Sequence, residues 1–572
     1  MNITYKPRLS PNGEYTVEVD KYGQEIIHNP LLNKGTAFSI HEQEEFGLIG
    51  LLPPHISTLG EQLTRTMESY HACSSNISKY IYLRSLQDRN ETLFYAMLRQ
   101  NIREMLPIVY TPTVGEAVEK HGHIYRNARG LFITPDNVFN MGEMAKHLPS
   151  ANIEIIVATD SQAILGIGDQ GVGGMAIPIG KLSLYTVAAG IHPSACLPVC
   201  LDVGTDNRTL LADPLYLGRR HWRLTGNEYA VFIENFVEQV KKHFPNAVLQ
   251  WEDFAKQNAF TNMDKYRDAL PSFNDDVQGT GAVVLGGILG AMKIKRKTLR
   301  DHRYLIYGAG AAGGGIARQI RDGLKNAGLS HEEACGHVFM VDSAGLVTEG
   351  REGLEEYKKE FAKPERITGG WVRDNVYELT MAETIRHAKI NVLIGVSGQT
   401  GAFNEQIINL MTANDPEPLI FTLSNPTSKS ETDPRKVLQQ TNGRAIVASG
   451  SPFGSVTVNG REIEVGQGNN AFIFPGLGLG TLVAKARKIT DGMMTAAAHA
   501  LAASVTEERL ASRTIYPPVQ DIFEVSHKVA VAVYKQAVAD GVAEVAHGSD
   551  PEKVIRGLMW LPAYANYTRA KK

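Results

Sequence analysis

The sequence predicts an α/β fold that is helical at its N-terminus, passes through two parallel-sheet regions and ends in helices. Three observations predict it. Apolar residues recur at helical spacing ahead of residue 150. Short β-rich runs alternate with helical stretches from about 151. Long apolar helical faces return beyond about 485.

In the N-terminal part, residues 90–105 (NETLFYAMLRQNIREM) carry Leu93, Phe94, Met97, Leu98, Ile102 and Met105 on one helical face. Asn90 is the expected N-cap and Pro107 the expected stop. The first β series is 153–159 (IEIIVAT), 197–203 (LPVCLDV) and 247–251 (AVLQW). The second is 304–307, 337–342, 391–396, 419–423 and 445–449. Helices between such runs place them in parallel sheets. In the last part, 519–537 presents a long apolar face with Pro517 and Pro518 just before it. The expected division is a helical region over 1–125, an α/β domain over 126–276 to which 466–538 returns, a dinucleotide-type domain over 277–465, and a helical tail over 539–572.

Composition narrows the function. With 43% hydrophobic and 21% charged residues the chain is an ordinary globular one. A formal net charge of −3 supplies no field for nucleic acid or an acidic membrane, so neither is an expected partner. Cys73, Cys196, Cys200 and Cys335 form no CxxC pair and no zinc-type spacing, and they read as free thiols. The start, MNITYKPRLSPNGEY, has no apolar leader core. The apolar stretch 279–292 (GTGAVVLGGILGAM) is too short to span a bilayer and reads as a buried helix. The expected location is the cytoplasm or an organelle matrix. The run 293–297 (KIKRK) reads as a solvated basic helix end.

At 304–315 (YLIYGAGAAGGG) a short strand runs into Gly308-x-Gly310-x-x-Gly313 and a helix follows. The first glycine allows the tight turn, the second lets backbone approach a pyrophosphate, and the third allows close helix–strand contact. The helix N-terminus then faces the phosphate charge. This is a Rossmann-like NAD-binding pattern. Asp342 ends the next strand, where a carboxylate bonds the adenine-ribose hydroxyls. It favours NAD, because a carboxylate repels a 2′-phosphate. No basic residue stands directly beside it in sequence. Lys358 and Lys359 come later and leave NADP open.

Two acidic pairs stand out, Glu252-Asp253 at the end of AVLQW and Asp275-Asp276 in SFNDDVQGTG. Carboxylates at a strand end and in a loop suit Mg²⁺ or Mn²⁺, which take hard oxygen ligands. Neighbours in a regular strand point to opposite faces, so Glu252 and Asp253 share one ion only if the backbone turns there. Lys181 lies in the apolar IPIGKLSLY after a glycine-rich loop, 166–174. Burial lowers a lysine's pKa and suits it to act as a base. Tyr110 follows the expected helix stop, where its phenol is a candidate proton donor.

Together these segments resemble the malic enzyme family. Tyr110–Gly115 (YTPTVG), Gly180-Lys181-Leu182, Trp251-Glu252-Asp253-Phe254, 273–280 (FNDDVQGT), Ser424-Asn425-Pro426-Thr427 and Gln467-Gly468-Asn469-Asn470 match its motifs in its order, and the resemblance covers nearly the whole chain from Asn29. The resemblance implies that Glu252, Asp253 and Asp276 bind Mn²⁺ or Mg²⁺. It makes Lys181 the general base, Tyr110 the general acid, and Asp275 the residue holding Lys181. Asn425 and Asn470 become substrate or nicotinamide-ribose contacts. It further implies malate as substrate, pyruvate, CO₂ and NADH as products, and a homo-oligomer, dimer or tetramer.

One loop departs from the family pattern. Where the family carries TDxERILGxGD, with an arginine gripping a substrate carboxylate, this chain has Gln162 and Ala163. The malolactic branch also lacks that arginine, and GTGAVVLGGILGAM, PLYLGRRH and GQGNNAFIFPGLGLG resemble that branch. The alternative reading is therefore a malolactic enzyme that keeps its NAD and releases lactate. A cofactor-sensing protein without catalysis is a third.

Overall fold

The computed structural model describes residues 8–9, 15–164, 166–373, 378–545 and 550–570. Most of the opening MNITYKPRLSPNGEY, and Leu165 in the 159–166 loop, lie outside them. The chain divides into two compact units. The first runs to Glu252 and takes in Lys553 onward; the second is Asp253–Glu552.

The first unit begins with helices. Asn90 caps Glu91–Gln100 as expected, its Oδ1 accepting from the Leu93 N–H at 2.9 Å. The expected single helix is two. The chain breaks at Asn101 and resumes as Ile102–Val109, and Pro107 lies inside that second helix instead of stopping it. An interior proline costs roughly 3 kcal/mol. Here burial of Ile102, Met105, Leu106, Ile108 and Val109 offsets it. Four parallel strands follow, Leu131–Ile133, Cys196–Leu201, Ile155–Thr159 and Val248–Glu252 in spatial order. Helix Ala176–Ala189 packs on them; nearly all its residues are buried, which explains its lack of a polar face. The C-terminal helix Pro551–Leu558 is followed by a strand the sequence did not announce: Asn566–Arg569 pairs in parallel with Thr16–Val19.

The second unit holds the dinucleotide-type sheet. Its order is Gly345–Leu346, Val338–Asp342, Tyr304–Tyr307, Val392–Gly395, Leu419–Thr422, Ile446–Ser449, Gly466–Gln467, parallel except for the first pair. Strand order reverses between Tyr304–Tyr307 and Val392–Gly395, and ligands bind beyond the carboxyl ends of strands at such a switch point. All but the first residue of the stretch 279–292 lies within helix Thr280–Lys295, almost wholly buried. At its end the basic run is not simply solvated: Lys295 Nζ folds onto Asp415 at 2.7 Å and the Glu417 carbonyl at 2.6 Å.

Candidate active site

In the first unit, Lys181 comes from the middle of Ala176–Ala189 and is 1% exposed. Its Nζ lies 2.9 Å from Glu252 Oε1. The other oxygen, Oε2, accepts from Gln250 Nε2 at 2.8 Å, and Gln250 accepts from the Tyr185 hydroxyl at 2.6 Å. A buried carboxylate is thus bonded at both oxygens, the condition for keeping a buried charge. Tyr110 closes the helix Ile102–Val109, and its ring centroid lies 5.4 Å from Lys181 Nζ. The structure therefore brings together the expected base and the expected acid. It sets Lys181 against Glu252, a pairing the sequence reading had not foreseen.

The loop after Ile155–Thr159 is fixed by a buried arginine. Arg223 lies 3.3 Å from the Asp160 carboxylate and 3.0 Å from that of Asp169, and it donates to the Asp160 carbonyl at 2.6 Å. Tyr229 donates to Asp160 Oδ2 at 2.7 Å. Ala163 itself is exposed. Arg223 escaped the sequence reading because its partners lie far along the chain.

In the second unit the first residue, Asp253, has φ 57°. That left-handed conformation is the turn required for Glu252 and Asp253 to cease pointing to opposite faces. The Asp253 N–H donates to Asp276 Oδ2 at 2.8 Å, and carboxylate oxygens of Asp253 and Asp276 lie within 4.8 Å of each other. Asp275–Gly279 is a short π-helix leading into Thr280–Lys295, capped by Asn274, whose Oδ1 accepts from Val277 N–H at 2.9 Å. Such wide turns recur at functional sites because they redirect side chains. Asn470 Nδ2 donates to Asp275 Oδ2 at 3.0 Å and to Thr280 Oγ1 at 3.0 Å, so two of the expected site residues touch directly.

The glycine turn has the expected form. Gly308 has φ 115°, and a Cβ there would meet the Val396 carbonyl at 2.6 Å, on the neighbouring strand end at the switch point. A Cβ at Gly313 would collide with the Gly308 carbonyl, whereas one at Gly310 meets open space. Helix Ala311–Asn326 starts there and aims its N-terminus at that space. These residues fit a dinucleotide pyrophosphate. Asn425 accepts from Ser451 Oγ at 2.5 Å. Beside it stands Glu431, missed in sequence: its Oε1 accepts from Ser424 Oγ at 2.5 Å and Ser397 N–H at 2.8 Å, joining two loops at strand carboxyl ends.

Asp342 ends its strand as expected but is not alone. Arg351 reaches both its oxygens, at 2.9 and 3.0 Å, and Lys358 Nζ lies 2.9 Å from Oδ2. The absence of a basic neighbour in sequence is thus corrected in space. The antiparallel pair Val338–Asp342 and Gly345–Leu346 turns the chain back and carries Arg351 towards Asp342. Lys359 pairs instead with Glu356 at 2.8 Å. Burial pushes the Asp342 carboxyl up, but Lys358, the Ala344 N–H and Arg351 outweigh it and hold it below the usual carboxylate range.

Two family models cover most of this chain: the malic enzyme N-terminal domain matches residues 87–267 and the malic enzyme NAD-binding domain matches 277–538. The chain belongs to the malic enzyme family. This family member is 46% identical to the NAD-dependent malic enzyme of Pseudomonas savastanoi pv. phaseolicola, over 96% of its own length and 97% of that protein. It is 44% identical to that of Psychrobacter cryohalolentis and 45% identical to that of Cronobacter sakazakii, each at the same coverage. Among solved structures it resembles the Entamoeba histolytica malic enzyme (TM-score 0.56, 22% identity, 90% of each chain). It also resembles the malic enzyme from Pyrococcus horikoshii (TM-score 0.53, 25% identity, 80% of this chain and 89% of that one). The first of these likenesses supports the fold alone.

Proposed function

We propose that this malic enzyme family member oxidatively decarboxylates malate to pyruvate and CO₂, reducing NAD, with Mn²⁺ or Mg²⁺ held by Glu252, Asp253 and Asp276. The observation that carries the reading is the buried set of Lys181, Tyr110 and Glu252 in one unit. The NAD-dependent malic enzymes it resembles along nearly their whole length support the reaction, and they lend nothing to the malolactic alternative. The all-oxygen donor set and the turned backbone at Asp253 support the metal assignment. When bound, that ion supplies Lewis-acid polarisation of the C2 oxygen.

Lys181 receives the C2 hydroxyl proton, and NAD, which the Gly308–Gly313 turn would hold, would supply the hydride acceptor. Whatever draws Glu252 away from Lys181 removes the anion that stabilises its ammonium and so favours its basic form. The β-keto acid then loses CO₂, and Tyr110 delivers a proton to C3 of the enolate. We assign Asp275, which accepts from Asn470, to holding Lys181, and Asn425 and Asn470 to contacts with the substrate or the nicotinamide ribose. The same resemblance supports a homo-oligomer.

The test is a product balance on malate, NAD and Mn²⁺. The reading requires NADH and pyruvate in equal amounts, and no turnover after treatment with a strong chelator until the metal is restored. Lactate without NADH would establish the retained-cofactor alternative, and full turnover in chelator would overturn the metal assignment.

A further inference from the structure

The second unit carries a second cluster of metal-ligating side chains, of different chemistry. His331 and Cys335 stand one turn apart on helix His331–His337, so they project from the same face. Glu360 approaches them from the end of the short helix Glu356–Lys359. Cys335 Sγ lies 3.6 Å from His331 Nε2, and His331 Nε2 lies 3.7 Å from Glu360 Oε1. All three ligand atoms fall within 4.8 Å of one another. We propose that His331, Cys335 and Glu360 form a binding site for a thiolate-accepting divalent ion of the Zn²⁺ class.

The distances decide in favour of that class. Zinc bonds sulfur at about 2.3 Å, imidazole nitrogen at about 2.0–2.1 Å and carboxylate oxygen at about 2.0–2.2 Å, so tetrahedral angles set neighbouring ligand atoms about 3.3–3.6 Å apart. The Sγ–Nε2 and Nε2–Oε1 separations of 3.6 and 3.7 Å are close to those edges, and the third pair lies within 4.8 Å. Mg²⁺ demands six oxygens, and a thiol with an imidazole is the wrong donor set for it. The surroundings are those of a supported site. Lys363 Nζ donates to the Cys335 carbonyl at 2.6 Å, and Ser330 caps the helix. Arg321 donates to Glu360 Oε1, and Arg318 Nε lies 3.6 Å from Oε2, so two guanidiniums fix the position of the carboxylate. The His331 side chain is 58% exposed, which gives the ion a path in and leaves a fourth position for water. Glu360 also lies two residues beyond Lys358, which holds Asp342, and Tyr357 donates to the Ala309 carbonyl at 2.7 Å. The site therefore sits on the segment that walls the dinucleotide turn.

Cobalt(II) reads the site without recourse to activity. Full-length protein, stripped of metal and held in excess Mg²⁺ to occupy hard oxygen sites, is titrated with Co²⁺. The expected result is a near-ultraviolet sulfur-to-cobalt charge-transfer band with strong visible tetrahedral bands, saturating at one ion per chain and abolished by Zn²⁺. Cys335→Ser should remove the charge-transfer band, and Glu360→Gln should weaken binding by about tenfold or more. Because Cys335 is buried, His331→Ala, an exposed change, is the decisive variant: it should lose the tetrahedral spectrum while staying folded and turning over malate. No charge-transfer band at saturating Co²⁺, or a band that survives either His331→Ala or Cys335→Ser, overturns the site.

Discussion

Arg351 grips Asp342 through both carboxylate oxygens, at 2.9 and 3.0 Å. The residue expected to read the adenine ribose is therefore held in place by two cations, Arg351 and Lys358, that would otherwise face the cofactor. Asp342→Ala should weaken NAD by about ten- to a hundredfold, the loss of one charge-assisted bond of roughly 1.5–3 kcal/mol. It should also release both cations and improve NADP. The ratio of kcat/KM for the two cofactors measures this. Unchanged NAD affinity would show that Asp342 does not touch the ribose.

Lys181 and Glu252 form a buried pair, 1% and 2% exposed at their side chains. Lys181→Met should lower kcat by about 10²–10⁴-fold, the usual contribution of a general base, with malate KM little changed. Glu252→Gln should destabilise the protein and favour the neutral form of Lys181, because it removes a buried carboxylate paired with the Lys181 ammonium. Equal losses in kcat and in thermal stability for Lys181→Met would mark the lysine as structural.

Ala163 is exposed on a loop that Arg223 anchors, so a longer side chain there meets no core. Ala163→Arg should lower malate KM in the oxidative direction by about ten- to a hundredfold through one charge-assisted contact. KM and the pyruvate-to-lactate ratio, wild type against variant, check it. If neither moves, position 163 does not face the substrate.

Burial lowers the His121 pKa to about 4. Its folded pKa lies below its unfolded value of about 6.5, so between those values the unfolded chain binds more protons. The stability His121 contributes is full above about pH 6.5 and is lost as pH falls through about 4, a loss of roughly 3 kcal/mol at most. Denaturant midpoints at pH 7 and pH 4.5 should therefore differ less in His121→Gln than in the wild type. An equal drop in both would place the acid sensitivity elsewhere.

Much of this protein follows from its sequence alone. Every strand read between 151 and 450 exists, at most a residue or two from where β-rich runs placed it, because alternation between apolar runs and helices is a local property of the chain. The glycines at 308, 310 and 313 and the Asn90 cap are local in the same sense: each answers a backbone demand within a few residues. Tertiary structure alone decided the rest. Pro107 entered a helix because buried neighbours outweighed its local cost. Asp253 turned, Lys181 met Glu252, and Arg351 met Asp342 only when strands and loops fixed their paths. The same holds for Glu431 between its two loops, and for His331, Cys335 and Glu360, whose sequence spacing matches no metal motif. Periodicity reports the geometry of a segment with itself. Which charged side chains face one another depends on strand register and chain reversal, and those are settled only when the core packs.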